Sequence, residues 1–198
     1  MKDITKNEMQ VVLTLFKDFS SSYNANSLSK IIGLTSMGTL KILKKLEKEK
    51  ILRSEQMGKA VFYKLDLTDD YVKNYLIFLL QKEAEQSIPR IKRWVKELRQ
   101  LQDNADIGII FGSVLETDDY NDIDLLLVLK QSQNKKINQL LSEIKEINIK
   151  KIHAVKQTKG DIKENLKKRD KVVLSIIKKG TVIFGYEKII EIIKDVTR

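Results

Sequence analysis

The chain has 198 residues, 42% hydrophobic and 32% charged, the composition of a globular protein with room for one large domain or two small ones. It holds no cysteine and one histidine, so disulfides, thiolate metal centres and structural zinc are excluded. A formal net charge of +10 favours an anionic partner, nucleic acid or nucleotide. The opening decapeptide MKDITKNEMQ is polar, and no apolar run approaches the roughly 18–20 residues of a membrane span. The expectation is a cytoplasmic protein with no membrane association.

In chain order, residues 4–19 carry Met9, Val12, Leu13, Leu15, Phe16 and Phe19 at helical spacing. Residues 20–27 read as a loop, with Ser27 capping a second helix over 28–32 that Gly33 breaks. Thr35 or Ser36 caps a third helix reaching about Lys48, with Leu40, Leu43 and Leu46 at core spacing. Two β-like runs, 51–55 and 60–65, follow, joined by a turn at Met57-Gly58-Lys59. Lys41, Lys44, Lys45 and Lys48 recur every three or four residues and give the third helix a basic face opposite its leucines. Glu47 and Glu49 interleave with them, so an ordinary solvated face is the competing reading.

This order of elements over residues 4–67 resembles the winged helix-turn-helix domains of small transcription regulators. Gly33-Leu34-Thr35 at the turn and Lys44-Lys45-Leu46-Glu47 before the hairpin carry the resemblance. It implies double-stranded DNA as a partner, with the third helix in the major groove. Lys41, Lys44 and Lys45 would then face the duplex, Ser36 would reach a base edge or phosphate, and Lys59 would meet backbone from the hairpin tip. A winged helix can also serve as a protein-binding module.

Residues 68–103 read as mostly helix, started by Thr68, Asp69 and Asp70 and interrupted or kinked at Pro89. Tyr71, Tyr75, Leu76, Phe78, Leu79 and Leu80 come before the break, and Trp94, Val95, Leu98 and Leu101 after it. That apolar area needs a cover, either a homodimer interface or a bridge packed on both domains. Arg90, Lys92, Arg93, Lys96 and Arg99 form a basic cluster that suits a nucleotide or nucleic-acid groove or a plain solvated face. The expected organisation is 1–67, a helical linker or dimerisation segment at 68–103, and a second domain at 104–198.

Residues 108–129, GIIFGSVLETDDYNDIDLLLVL, set two short apolar runs around a polar loop. The runs predict buried strands, one closing on Gly112-Ser113 and the next opening on Asp122-Ile123-Asp124. Alternation puts both aspartates on one face, about 7 Å apart, where only a positive group between them relieves the repulsion. Mg²⁺ bound by one or two carboxylates plus phosphate oxygens meets that need. Gly112 admits a close backbone approach, and Ser113 adds a hydroxyl and an N–H.

This arrangement resembles the minimal nucleotidyltransferases of the DNA polymerase β-like superfamily, over roughly residues 100–198. The resemblance implies Gly112 and Ser113 on the triphosphate and Asp122 and Asp124 as catalytic metal ligands. It also implies a third carboxylate on the next strand. Residues 147–155, INIKKIHAV, supply none, and His153 is the nearest polar substitute. Asp161 lies beyond, as an expected helix N-cap. The polar loop lacks the arginine that such proteins often carry after Gly-Ser. Glu116, Asp118 and Asp119 read as an acidic surface turn. A helix over 133–147, another over 165–179 ended by Gly180, a strand over 181–184 and a last helix over 187–195 complete the reading.

The expected fold is α+β: a winged helix, a helical linker and a nucleotidyltransferase-like mixed sheet with flanking helices. The expected function is a DNA-binding transcription regulator whose second domain binds a Mg²⁺–nucleoside triphosphate. The alternative is an active nucleotidyltransferase, with His153 or another acid completing the site, that transfers NMP to a hydroxyl on protein, RNA or a small molecule. A member resembling the family's antitoxins would modify or sequester a partner protein.

Overall fold

A computed structural model describes residues 4–197; residues 1–3 of the polar N-terminal stretch, and Arg198, lie outside the described residues. The chain is α+β and divides into two compact units, the boundary falling at Leu79/Leu80. Among the described residues no helix is long and apolar enough to cross a membrane.

In the first unit, α1 (Lys6–Lys17) opens on a capping box in which Thr5 and Glu8 bond each other's backbone N–H. Its apolar stripe, Val11, Val12, Leu15 and Phe16, is buried. The expected loop at 20–27 contains a short strand, β1 (Tyr23–Asn24), so the second helix starts earlier than its sequence suggests. Asn24, not Ser27, is the cap of α2 (Ala25–Ile32): its Oδ1 accepts from the Ser27 N–H at 2.8 Å, and Ser27 Oγ accepts from the Asn24 N–H at 3.0 Å. Pairing of Tyr23 and Asn24 with the third strand holds the chain extended up to that point. Gly33, at φ +70°, ends α2 in the left-handed conformation only glycine adopts freely.

Thr35 caps α3 (Ser36–Lys48), which buries Thr39, Leu43 and Leu46. The hairpin β2 (Leu52–Met57) and β3 (Ala60–Leu65) pairs antiparallel, with β1 on the other side of β3. Three helices and a small antiparallel sheet in this order form a winged helix-turn-helix arrangement. Helix α4 (Asp70–Glu85) contains the unit boundary.

Pro89 does not kink a helix. It occupies the first turn of α5 (Pro89–Leu98), where its missing N–H costs nothing. A 3₁₀ turn over Arg99–Asp103 leads into a four-stranded sheet of order β6-β5-β4-β7: β4 (Ile107–Phe111), β5 (Asp122–Val128), β6 (Lys151–Gln157) and β7 (Thr181–Phe184). Strand β4 runs antiparallel to β5 and β7, whereas β5 and β6 are parallel, their crossover made by α6 (Asn134–Glu146). One face of the sheet joins Trp94, Val95 and Leu98 of α5 to Ile110, Leu125, Leu127 and Ile152 in a single apolar cluster. The apolar surface of residues 91–101 is therefore covered within the second unit itself.

Three sequence expectations change here. The strand expected at 147–155 runs Lys151–Gln157, leaving Ile147 and Ile149 exposed before it. The cap of α7 (Lys159–Lys167) is Thr158, and Asp161 sits at the third helical position, completing a capping box. The single helix expected over 165–179 is two, α7 and α8 (Lys171–Lys179). Arg169 takes φ +55° between them, and the Asp170 carboxylate accepts from the Val172 and Val173 N–H groups at 2.9 Å each. Helix α9 (Tyr186–Thr197) closes the chain.

Glu8 also pairs with Lys45 of α3. Burial pushes its carboxyl up, but the Lys45 hydrogen bond and the Thr5 N–H outweigh it and hold Glu8 below the usual carboxylate range. A lowered carboxylate stabilises the fold above its unfolded pKa, and the contribution is lost as pH falls through the folded value. Glu8→Gln, which can still cap, should destabilise by about 1 kcal/mol at pH 7. Chemical denaturation should show that gap closing below about pH 4. A gap that persists in acid would assign the loss to packing instead.

Candidate functional site

Two strand ends converge at one edge of the second sheet. Phe111 is the register partner of Asp124 across β4 and β5, and Asp124 is that of His153 across β5 and β6. Because side chains alternate, Asp122, Asp124 and His153 lie on one face of the sheet, while Ile123 and Leu125 point into the apolar cluster on the other. His153 Nδ1 lies 3.2 Å from Asp122 Oδ2. One donor atom from each of the three residues can be chosen so that all lie within 4.8 Å of one another. Burial first, and then the neighbouring Asp122 charge, push the Asp124 carboxyl above its ordinary range; His153 opposes them.

Gly112 follows β4 at φ +80°, and a Cβ there would collide with Asp124 Oδ2. The glycine is thus what lets the chain turn directly over the carboxylate. Ser113 begins a 3₁₀ turn, Ser113–Leu115, and is exposed. Two carboxylates and an imidazole beside an accessible backbone turn fit a divalent cation in donor type and spacing.

The polar loop is braced from α5. Arg90 Nε donates to the Val114 carbonyl at 2.8 Å, and its guanidinium pairs with Asp118. One turn on, Trp94 Nε1 donates to Tyr120 Oη at 3.1 Å. Lys150 donates to the Tyr120 carbonyl while lying 4.9 Å from the centre of its ring. Of the basic cluster expected to line a groove, Arg90 therefore serves the loop. Arg93 is spent on Glu97 and Asn148. Lys92 and Lys96 are exposed.

A cleft of about 630 Å³ opens beside Gly112. Phe111, Leu115 and Ile176 give it apolar lining, and Glu116 lines it too, together with Lys171, Ser175 and Lys179 of α8. Sequence reasoning missed these three, along with Arg90's role, because α8 lies far along the chain from the Gly-Ser pair. The pairing of His153 with Asp124 had a signal, the absence of an acid on that strand.

In the first unit, Lys41 and Lys44 lie on α3, Lys41 exposed and Lys44 exposed, and Lys59 is exposed at the hairpin turn, where Gly58 takes φ +60°. Lys45 is turned to Glu8 and does not join them. Ser36 Oγ donates to Asn26 Oδ1 at 3.1 Å and lies 3.2 Å from Ser29 Oγ, tying the start of α3 to α2 while remaining exposed.

No protein-family model matches the chain, and neither does any curated protein. Among solved structures, the chain is similar to a cysteine-to-serine mutant of Lactococcus lactis ZitR, at 11% identity and a TM-score of 0.33, over 74% of this chain and 79% of that one.

Arg90→Gln should loosen the brace. Hydrogen–deuterium exchange of the amides at 113–121 should accelerate by roughly tenfold, the equivalent of one charge-assisted hydrogen bond. The amides of β5 should stay protected. Unchanged exchange in the loop would show that the Arg90 contacts do not order it.

Proposed function

We propose that the chain is a DNA-binding transcription regulator whose second unit binds a nucleoside triphosphate with a divalent cation. The observation that carries the second half is the meeting of Asp122, Asp124 and His153, with Asp124 packed against Gly112, a residue that also lines the cleft. Asp122 and Asp124 would hold the cation. When bound, the cation neutralises phosphate oxygens and, if transfer occurs, stabilises the attacking and leaving oxygens of an in-line displacement. The Gly112-Ser113 turn offers backbone approach and a hydroxyl to the phosphates. Lys171 and Lys179 supply positive charge in the cleft lining, and Leu115 and Ile176 supply an apolar surface for a base.

The DNA-binding half rests on the exposure of Lys41 and Lys44 along α3, with Lys59 at the hairpin tip. In this reading α3 enters the major groove, and the lysines contact phosphates. Lys45 contributes to the fold rather than to the duplex.

A second reading, turnover as a nucleotidyltransferase, is favoured by one observation. His153 stands opposite Asp124, where the resemblance calls for a third ligand. It would bind the cation or receive a proton from the acceptor hydroxyl.

Incubation with labelled ATP, CTP, GTP and UTP and a divalent cation, with Asp124→Asn alongside, tests the second unit. Nucleotide binding measured by calorimetry should weaken at least about tenfold in the variant, with the fold intact by circular dichroism. Pyrophosphate release lost in Asp124→Asn would establish transfer. Equal nucleotide affinity in both proteins would sink the assignment of Asp124.

For the first unit, Lys41→Ala with Lys44→Ala should weaken duplex binding and lower the slope of log K against log salt by about 2. A duplex affinity independent of salt would remove the DNA reading.

A further inference from the structure

We infer that the site formed by Asp122, Asp124 and His153 selects a first-row transition cation over Mg²⁺, with His153 as the selecting ligand. The inference rests on the reading of the two aspartates as cation ligands and adds the class of the cation.

The argument starts from the donors. Three side chains can each offer one atom, and all three atoms lie within 4.8 Å, close enough for one ion to join them after small side-chain rotations. Two of those atoms are carboxylate oxygens, and the third is an imidazole nitrogen. Mg²⁺ is small and hard, sheds water reluctantly, and takes oxygen donors at about 2.0–2.1 Å. An imidazole nitrogen adds little to its binding. Imidazole suits first-row transition ions, and Mn²⁺, which takes carboxylate and phosphate oxygens as Mg²⁺ does and binds most weakly of that series, is the most stringent probe of the preference. A two-oxygen, one-nitrogen set therefore discriminates where an all-carboxylate set would not.

The fold keeps the nitrogen in place. His153 is fixed by the parallel register of β5 and β6, directly opposite Asp124, and no slip by one residue is open to it. Such a slip would turn Ile152, 3% exposed in the apolar cluster, out to the site. The imidazole stands on an edge strand with its side chain 59% exposed, so it can turn toward an ion without repacking the core. Its Nδ1 already lies on the side of Asp122. The next residue on the same face toward the strand start is Lys151, the register partner of Asp122, so β6 has no carboxylate to offer in exchange.

The test uses the full chain with Mn²⁺ and Mg²⁺ as separate probes, in wild type, His153→Ala, His153→Asp and Asp124→Asn. Calorimetry gives the affinities, and pulsed electron paramagnetic resonance of bound Mn²⁺ reads nitrogen coupling directly. Wild type should show a nitrogen coupling that His153→Ala loses. His153→Ala should weaken Mn²⁺ by at least about tenfold, the low end of what even an outer-shell partner is worth, and leave Mg²⁺ within about twofold. His153→Asp should lose the nitrogen signal, tighten Mg²⁺ and narrow the Mn²⁺:Mg²⁺ affinity ratio. A protein that loses Mn²⁺ in Asp124→Asn, yet keeps full affinity in His153→Ala and shows no nitrogen coupling with His153 present, overturns this inference and leaves the aspartate reading standing. A protein whose cation binding ignores Asp124→Asn overturns both.

Discussion

The second unit depends on the register between β5 and β6. Ile123, Leu125 and Leu127 alternate along β5 and are fully buried, and Ile152 and Ala154 of β6 answer them on the same face. Because the side-chain period is two, burying that set fixes what the opposite face displays. It displays Asp122 and Asp124, with His153 beside Asp124. The donor cluster is thus a consequence of aliphatic packing on the far side of the sheet, and shifting the packing by one residue would scatter it.

The polar loop beside the cluster is held from α5. The connection between β4 and β5 is long for an antiparallel pair and would fray if left to solvent. Arg90 and Trp94, one turn apart on α5, hold it at Val114, Asp118 and Tyr120, and Lys150 adds a third hold. Gly112 and Asp122, at the two ends of this connection, are then presented from fixed positions. Supporting contacts of this kind are what a binding constellation needs if its groups are to stay in place for a ligand.

The sequence made the strands, the Gly-Ser turn and the aspartate pair legible, because each is a local pattern: apolar runs of strand length, a glycine at an abrupt end, two carboxylates two residues apart. Helix spacing exposed α1 and α3 for the same reason. What stayed hidden was long-range. Lys45 has the spacing of a basic face, yet Glu8, 37 residues away in sequence, claims it. The caps at Asn24 and Thr158 were misplaced because the neighbouring strands hold the chain extended up to them, and strand pairing is not a local property. The break before α8 turns on one residue, Arg169, in a left-handed conformation that its type does not advertise. The cleft wall carried by Lys171 and Lys179 could not be seen until that break was.

That break has a consequence for charge. Asp122, Asp124, Glu116 and Asp118 would together give the sheet edge a negative field hostile to any phosphate. Arg90 neutralises Asp118, and the Thr158 cap keeps Asp161 engaged at the start of α7. Starting a fresh helix at Lys171 puts Lys171 and Lys179, at the two ends of α8, among the residues that line the cleft with Gly112. A helix running unbroken from 165 would carry the same lysines at a different angle to the sheet. The distribution that results sets carboxylates on the strand ends and lysines on a separate helix, so the two signs of charge are kept apart rather than cancelled in contact.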